Sequence, residues 1–132
     1  MSCNSVIYTV MSTPASVLAG GAVPLGSAVR KYGCGIDLDG NALQLTALGY
    51  YDVDVNLTVQ PVAVGAITAT VYVDGVAYPG AVATGTAAAA GDDVQLVIQT
   101  LVRVNCNVQR TVMVVLSAEA TVTNAAVTAV KV

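Results

Sequence analysis

The chain has 132 residues, 13.2 kDa and a formal charge of −3, which allow one domain and exclude a basic surface for binding nucleic acid. It contains no His, Trp or Phe, and without His most hydrolase and metalloenzyme mechanisms lose their proton carrier or metal ligand. The 26 Val and 13 Thr residues predict β-structure, because branched side chains fit a pleated surface better than a helix.

Short strands separated by turn residues are predicted along the whole chain. They cover residues 6–10, 36–38, 42–45, 50–60, 67–73, 94–104, 111–117 and 121–130. Residues 14–26, rich in Pro, Ala and Gly, are predicted to be irregular or edge-like. Asp74-Gly75 has the composition of a tight hairpin turn, and Pro79-Gly80 is expected to end the returning strand.

No helix is predicted, because the four alanines of residues 87–90 are too few to nucleate one. The pattern therefore favours an all-β, antiparallel two-sheet jelly roll with a single domain. We expect residues 1–30 to form an irregular N-terminal arm with the first strand, and residues 31–132 to form the jelly-roll body.

The hydrophobic content is 55% and the mean hydropathy is +0.72. No apolar run approaches the ~18 residues of a membrane-spanning helix, so we expect no membrane insertion. The segment Met1 to Gly21 lacks a basic start and makes a poor signal peptide. A domain this small cannot bury so many apolar residues in one core, which predicts a homo-oligomer.

Residues 50–60 alternate cleanly between apolar and polar side chains. Asp52 and Asp54 fall on adjacent positions of the polar face, where two carboxylates repel each other. Exposure to water, an ion pair with Arg103 or Arg110 on a neighbouring strand, or a bound cation would each relieve that repulsion. All three arrangements stay open from the sequence.

No motif for catalysis or for cofactor binding is complete. The stretch 80–91 contains glycines but no Lys, so it is no phosphate-binding loop. No serine has the flanking glycines of a nucleophile elbow, and no carboxylate pair has the setting of a glycosidase site. We predict that the protein is not an enzyme, with no catalytic residue and no bound cofactor.

One segment, Asp37-Leu38-Asp39-Gly40-Asn41, begins like a calcium-binding loop, with oxygen ligands at alternate positions. Its Gly lies at the wrong position, and Leu48 stands where a bidentate Glu is needed. A plain hairpin turn is therefore predicted there.

Three cysteines are present: Cys3, Cys34 and Cys106. They form no Cys-x-x-Cys pair and cannot all pair within one chain. Free thiols that behave as small hydrophobic side chains are predicted, with a Cys34–Cys106 disulfide as the alternative.

The C1q/TNF-like jelly-roll family has a G-x-Y-x-V/F strand signature, which the sequence resembles at Gly49-Tyr50-Tyr51-Asp52-Val53-Asp54-Val55-Asn56. The later order of turns and strands fits the same family. A compact module of Gram-positive bacteria and their phages is similar more narrowly, at Val23-Pro24-Leu25-Gly26-Ser27, Gly40-Asn41, Gly49-Tyr50-Tyr51 and Arg103-Val104-Asn105-Cys106-Asn107. Tip domains of spore-surface glycoproteins also resemble this pattern.

The resemblance implies a homotrimer that packs its inner sheets around a three-fold axis. The interface candidates are then Tyr50, Asp52, Asp54, Asn56 and Arg103, with Asp52, Asp54 and Asn56 turned toward the axis. This departs from the apolar or aromatic axis usual in the family. It predicts a polar axial layer held by cations such as Ca²⁺, by Arg103, or by trapped water.

The family's members are structural or adhesive, and no Gly-x-y collagen repeat precedes this domain. Our hypothesis is a non-enzymatic virion protein, a trimeric capsid decoration or head-fibre knob of a phage that binds other virion proteins. The alternative is a receptor- or glycan-binding knob on a virion, bacterial or spore surface, using loops such as residues 80–93. The small residues of those loops argue against it, because binding hot spots favour Trp, Tyr and Arg.

Overall fold

Every regular element described in the computed structural model is a β-strand, and the described residues are 5–11, 13–33, 35–105 and 109–132. The strands are β1 (Val6–Val10), β2 (Ala15–Val17), β3 (Ser27–Tyr32), β4 (Ile36–Asp39), β5 (Ala42–Leu45), β6 (Gly49–Pro61), β7 (Gly65–Val73), β8 (Val76–Ala87), β9 (Val94–Val104), β10 (Arg110–Leu116) and β11 (Ala120–Lys131). Within these ranges no helix is long and apolar enough to cross a membrane.

The strands form two antiparallel sheets. Sheet I has the order β3-β1-β11-β6-β9, with β2 also paired to β11, and sheet II has the order β4-β5-β10-β7-β8. Neighbours within a sheet are rarely consecutive in the chain, which is the pattern of a jelly roll and not of a simple meander. The predicted all-β, two-sheet jelly roll is confirmed.

The core lies between the two sheets and is built by period-two alternation. Along β6, every second residue from Tyr51 to Val59 is buried, while the residues between them are half-buried or exposed. Strands β7, β9, β10 and β11 alternate in the same way. Because successive strand residues point to opposite faces, each strand gives one face to the core and the other to the surface.

The stretch 14–26 is more ordered than the sequence predicts. Its β2 pairs with β11 in sheet I, whereas Ala22 bridges to β10 in sheet II. Val23 and Leu25 are fully buried between the sheets. The stretch therefore passes from one sheet to the other as part of the sandwich, and the predicted boundary after residue 30 falls inside β3.

The predicted turn at Asp74-Gly75 is confirmed, with both residues in the left-handed region at φ 55° and 81°. This is the backbone that a two-residue hairpin needs and that a β-carbon opposes. The prediction that Pro79-Gly80 ends the next strand is wrong, because β8 continues to Ala87. The pairing of β8 with β7 shifts register around that dipeptide. Proline has no N–H to donate to the ladder, and a bulge on this edge strand accommodates it.

A buried polar cluster fixes the start of β6. The Tyr51 side chain is fully buried, and its hydroxyl donates to the carbonyl oxygens of Ala47 (2.9 Å) and Gly35 (3.1 Å). The Gly35 N–H in turn donates to the hydroxyl of Ser5 over 3.0 Å. Burial raises the pKa of Tyr51 above 10.0, so this hydroxyl keeps its proton and its donor role at neutral pH.

Thr9 leads to a stability prediction. It is fully buried in β1, and its hydroxyl has no hydrogen-bond partner among the described residues. Thr9→Val keeps the shape and removes the unpaired polar group, so we expect the free energy of unfolding to rise by about 1 kcal/mol.

The measurement is urea unfolding followed by circular dichroism. Thr111→Val is the matched control, because that hydroxyl donates to the Gln44 side chain over 3.1 Å and its loss should not stabilise the fold. Equal stabilisation by both substitutions would show that the unpaired hydroxyl of Thr9 is not the cause.

Candidate functional site

The outer face of sheet I, the face turned away from the core, carries all five interface candidates of the sequence. On β6, Tyr50, Asp52, Asp54 and Asn56 alternate with the buried residues and so share this face. Arg103 lies opposite Tyr50 on β9. The structure therefore brings the five residues together on one surface, although a role for them in an interface stays a prediction.

The strands on either side of β6 surround the two carboxylates with neutral side chains. Asp52 is paired in register with Val130 of β11 and with Leu101 of β9. Asp54 is paired with Thr128 and Gln99 on the same two strands. Residues directly opposite each other in antiparallel strands point to the same face, so neither carboxylate has a cation beside it in register.

An ion pair with arginine, one of the three arrangements that the sequence leaves open for Asp52 and Asp54, is not found among the described residues. Arg110 belongs to sheet II, where its Nη1 donates to Asp74 over 2.8 Å, so it is not the partner of Asp52 or Asp54. The guanidinium of Arg103 lies over the ring of Tyr50, 5.8 Å from its centre. That distance is within the range of a cation–π contact.

The surroundings of three aspartates shift their pKa values in different directions. Desolvation raises the pKa of Asp54 above 3.8, and the neighbouring Asp52 raises it further by like-charge repulsion. The pKa of Asp37 is lowered by its hydrogen bond from Lys31, and that of Asp74 by its hydrogen bond from the Thr111 N–H. Asp54 is thus a carboxylate whose charge its folded surroundings oppose.

Sequence reasoning missed the apolar residues on this surface. Val97 and Leu101 of β9 are 63% and 50% exposed, and Tyr8 of β1 is also exposed. They lie on the same face as the predicted candidate Tyr50, which is exposed as well. The sequence does contain a signal for them, because β9 has a period of two like β6. It places Gln95, Val97, Gln99 and Leu101 together on one face. It was hidden because both faces of β9 carry apolar side chains, so the sequence does not tell the core face from the surface face.

The residues available to a metal are few. Across the described ranges, no three His, Cys, Asp or Glu side chains lie together as a metal-binding group. On the described strands of sheet I, one copy offers only Asp52 and Asp54 as carboxylate side chains, so the predicted axial Ca²⁺ would need oxygen ligands from other copies. Cys3, Cys34 and Cys106 lie outside the described residues, and the predictions made for them stay open.

The segment 37–41, which begins like a calcium-binding loop, forms the predicted hairpin. Asp39 pairs with Ala42, which leaves Gly40-Asn41 as a two-residue turn. The Asp37 carboxylate accepts hydrogen bonds from the Leu38 N–H and from Lys31, the latter over 2.9 Å. Beside this hairpin is a cleft of about 460 Å³, whose lining includes Lys31, Asp37, Asp39, Gln44 and Gln109.

No protein-family profile and no curated protein match the sequence. Solved structures do match the fold. Murine APRIL has a TM-score of 0.77 at 12% identity, over 98% of this chain and 99% of that one. The globular domain of zebrafish complement 1qA protein has a TM-score of 0.71 at 7% identity, over 95% and 94%.

A phage protein is also similar. The PRD1 vertex protein P5 has a TM-score of 0.59 at 18% identity, over 100% of this chain and 99% of that one. At these identities the likeness shows the fold alone. The chain has the jelly-roll fold of TNF and C1q domains, as the strand signature around Tyr50 predicts.

The raised pKa of Asp54 can be measured. In Asp52→Asn, we expect the Asp54 pKa to fall toward 3.8 but to stay above it, because the repulsion is lost and the desolvation remains. Since the folded protein favours the protonated form, Asp54 lowers stability above its pKa, and this cost disappears as the pH falls. A carboxyl-carbon NMR titration gives the values.

Asp39→Asn is the control for that titration, because Asp39 lies in sheet II, far from β6 in the strand order. It should leave the titration of Asp54 unchanged. An Asp54 that titrates identically in Asp52→Asn and in the unmodified protein would contradict the proposed repulsion.

Proposed function

We propose that the protein is a non-enzymatic structural component of a phage particle, which assembles as a homotrimer and forms a capsid decoration or head-fibre knob at the virion surface. The observation that carries the proposal is a set of exposed apolar and aromatic side chains among the polar residues on the outer face of sheet I. Val97, Leu101, Tyr8 and Tyr50 expose large hydrophobic surface there. An apolar patch on a strand-rich surface is stabilised when another molecule covers it.

The occupant of this surface that we propose is a second copy of the chain. A closed three-fold ring needs two different surfaces per copy, because its contacts run head to tail. The chain offers two: the outer face of sheet I, and the side of the sandwich where β8 and β9 meet. There the Tyr78 hydroxyl donates to the Leu101 carbonyl over 2.6 Å, and Val76 and Val82 are exposed.

Two observations support the location on a phage particle. The motifs around Gly40-Asn41 and Arg103 resemble a module of Gram-positive bacteria and their phages. The fold is similar to that of a phage vertex protein over nearly the full length of both chains. The non-enzymatic role is supported by the lack of His in the sequence and by the lack of a metal-binding group in the described ranges.

Assembly through the outer face of sheet I is tested by Val97→Asp. We expect the substitution to convert a trimer into folded monomers, because three carboxylates would enter the apolar contact. Light scattering after gel filtration measures the mass, and circular dichroism checks the fold. Copy number in purified particles, counted by quantitative mass spectrometry, tests the virion location.

Val64→Asp is the matched control: Val64 is 67% exposed against 63% for Val97, but it lies in the loop between β6 and β7. We expect it to leave the mass unchanged. A monomeric unmodified protein, or equal loss of assembly in both variants, would contradict the proposed interface.

A glycan-binding knob is the second candidate, and the polar cleft beside the β4–β5 hairpin favours it. Carboxylates and amides such as those of Asp39, Gln44 and Gln109 can hydrogen-bond sugar hydroxyls. The loops predicted for this role are shorter than expected, because residues 80–87 belong to β8. The cleft, and not those loops, is the better place for a ligand.

A glycan array tests this second candidate. Any glycan signal should fall at least about tenfold in Asp39→Ala, the loss expected when one charged hydrogen-bond partner is removed. Asp93→Ala should leave the signal unchanged, because Asp93 accepts a hydrogen bond from Gln60 and does not line the cleft. An array without signal would exclude glycan recognition.

A further inference from the structure

Asp52 and Asp54 carry all the negative charge on the strands of sheet I. No other Asp or Glu occurs in β1, β2, β3, β6, β9 or β11. Both carboxylates lie on the outer face of β6, between β11 and the edge strand β9. The like-charged pair thus lies on the surface that the proposed assembly covers.

Four cations lie on the strands of sheet I, and none is paired in register with Asp52 or Asp54. Lys31 of β3 forms its ion pair with Asp37 of sheet II, over 2.9 Å. Arg30 shares a row with Asp54 but is separated from it by β1 and β11, about 14 Å at the usual strand spacing. Arg103 is engaged with the ring of Tyr50. Lys131 is paired in register with Tyr51, on the core side of β6, and its side chain runs beside Gly49.

The residues paired in register with the two aspartates bring no charge. Thr128 and Val130 of β11 and Gln99 and Leu101 of β9 are neutral. Tyr8 and Tyr50, which are exposed on the same face, supply no cationic side chain either. Covering this face with another copy would therefore strip water from two charges that none of these described neighbours neutralises.

We propose that this pair makes assembly of the chain proton-dependent, so that copies associate more tightly as the pH falls. The inference rests on the proposed trimer. Each copy takes up a proton at the Asp52–Asp54 pair when the outer face of sheet I is covered. The shared proton replaces one charge by an O–H donor, which bonds the remaining carboxylate.

The size of the effect follows from linkage. If each of three copies binds one extra proton on assembly, the association constant changes by up to ~10³ per pH unit where the pair titrates. The raised pKa of Asp54 in a single copy already has the sign that this requires. The change should therefore lie above pH 3.8, the ordinary value for an Asp side chain.

The experiment is sedimentation equilibrium of the full chain from pH ~4 to ~8, with EDTA present throughout. We expect the unmodified protein to associate more tightly toward acid. Asp54→Asn and Asp52→Asn, which replace one charge by a neutral group of the same shape, should associate tightly at neutral pH with a flattened profile. Asp39→Asn, an exposed carboxylate of sheet II, is the control and should keep the slope of the unmodified protein.

The outcomes separate this inference from the proposed function. A trimer whose association constant does not depend on pH overturns the inference and leaves the trimer standing. Weaker association toward acid overturns it as well, because it would mean that arginines of another copy neutralise the pair. A monomer at every pH, in the unmodified protein and both variants, overturns the proposed trimer itself.

A second set of measurements distinguishes proton uptake from the binding of a metal ion. The same measurements are repeated with CaCl₂ in place of EDTA. If the slope with pH is absent in EDTA and Ca²⁺ alone tightens association, the pair holds a cation and the proton-dependent proposal is wrong. If Ca²⁺ has no effect and the slope persists, the proposal is supported.

Discussion

The alternation of β6 is the constraint on which the remainder of the structure depends. This strand is paired on both edges, with β11 along one side and β9 along the other. Because its side chains alternate strictly between faces, the choice of which face meets the core also decides what appears on the surface. Burial of Tyr51, Val53 and Val55 therefore commits Asp52 and Asp54 to the outer face.

The same alternation explains how a chain that is 55% hydrophobic remains ordered. Valine and alanine side chains from both sheets fill the space between them. Most of the polar residues that alternate with them along the strands point outward. The sandwich is thin, so it cannot hide the second apolar face of β9. Val97 and Leu101 are left outside, and the need to cover them links the composition of the chain to its proposed assembly.

Local signals in the sequence predicted the local features of the fold. The Asp74-Gly75 turn, the β4–β5 hairpin and the faces of β6 each depend on residues a few positions apart. The errors concern how the strands pair with one another. The continuation of β8 past Pro79 depends on a bulge opposite β7, and the pairing of Arg110 with Asp74 depends on which sheet β10 joins. For the candidate site, the faces of β6 were predictable, but which residues of β9 and β1 share its outer surface depends on strand order, which one sequence does not reveal.

The position of β11 has a consequence for how the protein is made. In sheet I, β1 lies between β3 and β11, and β6 lies between β11 and β9. Sheet I therefore cannot close until β11 has left the ribosome, and until then β1 and β6 each have one open edge. Such non-local pairing favours slow folding and exposes nascent chains to wrong strand partners. Synthesis of this small domain is thus completed before its folding can be.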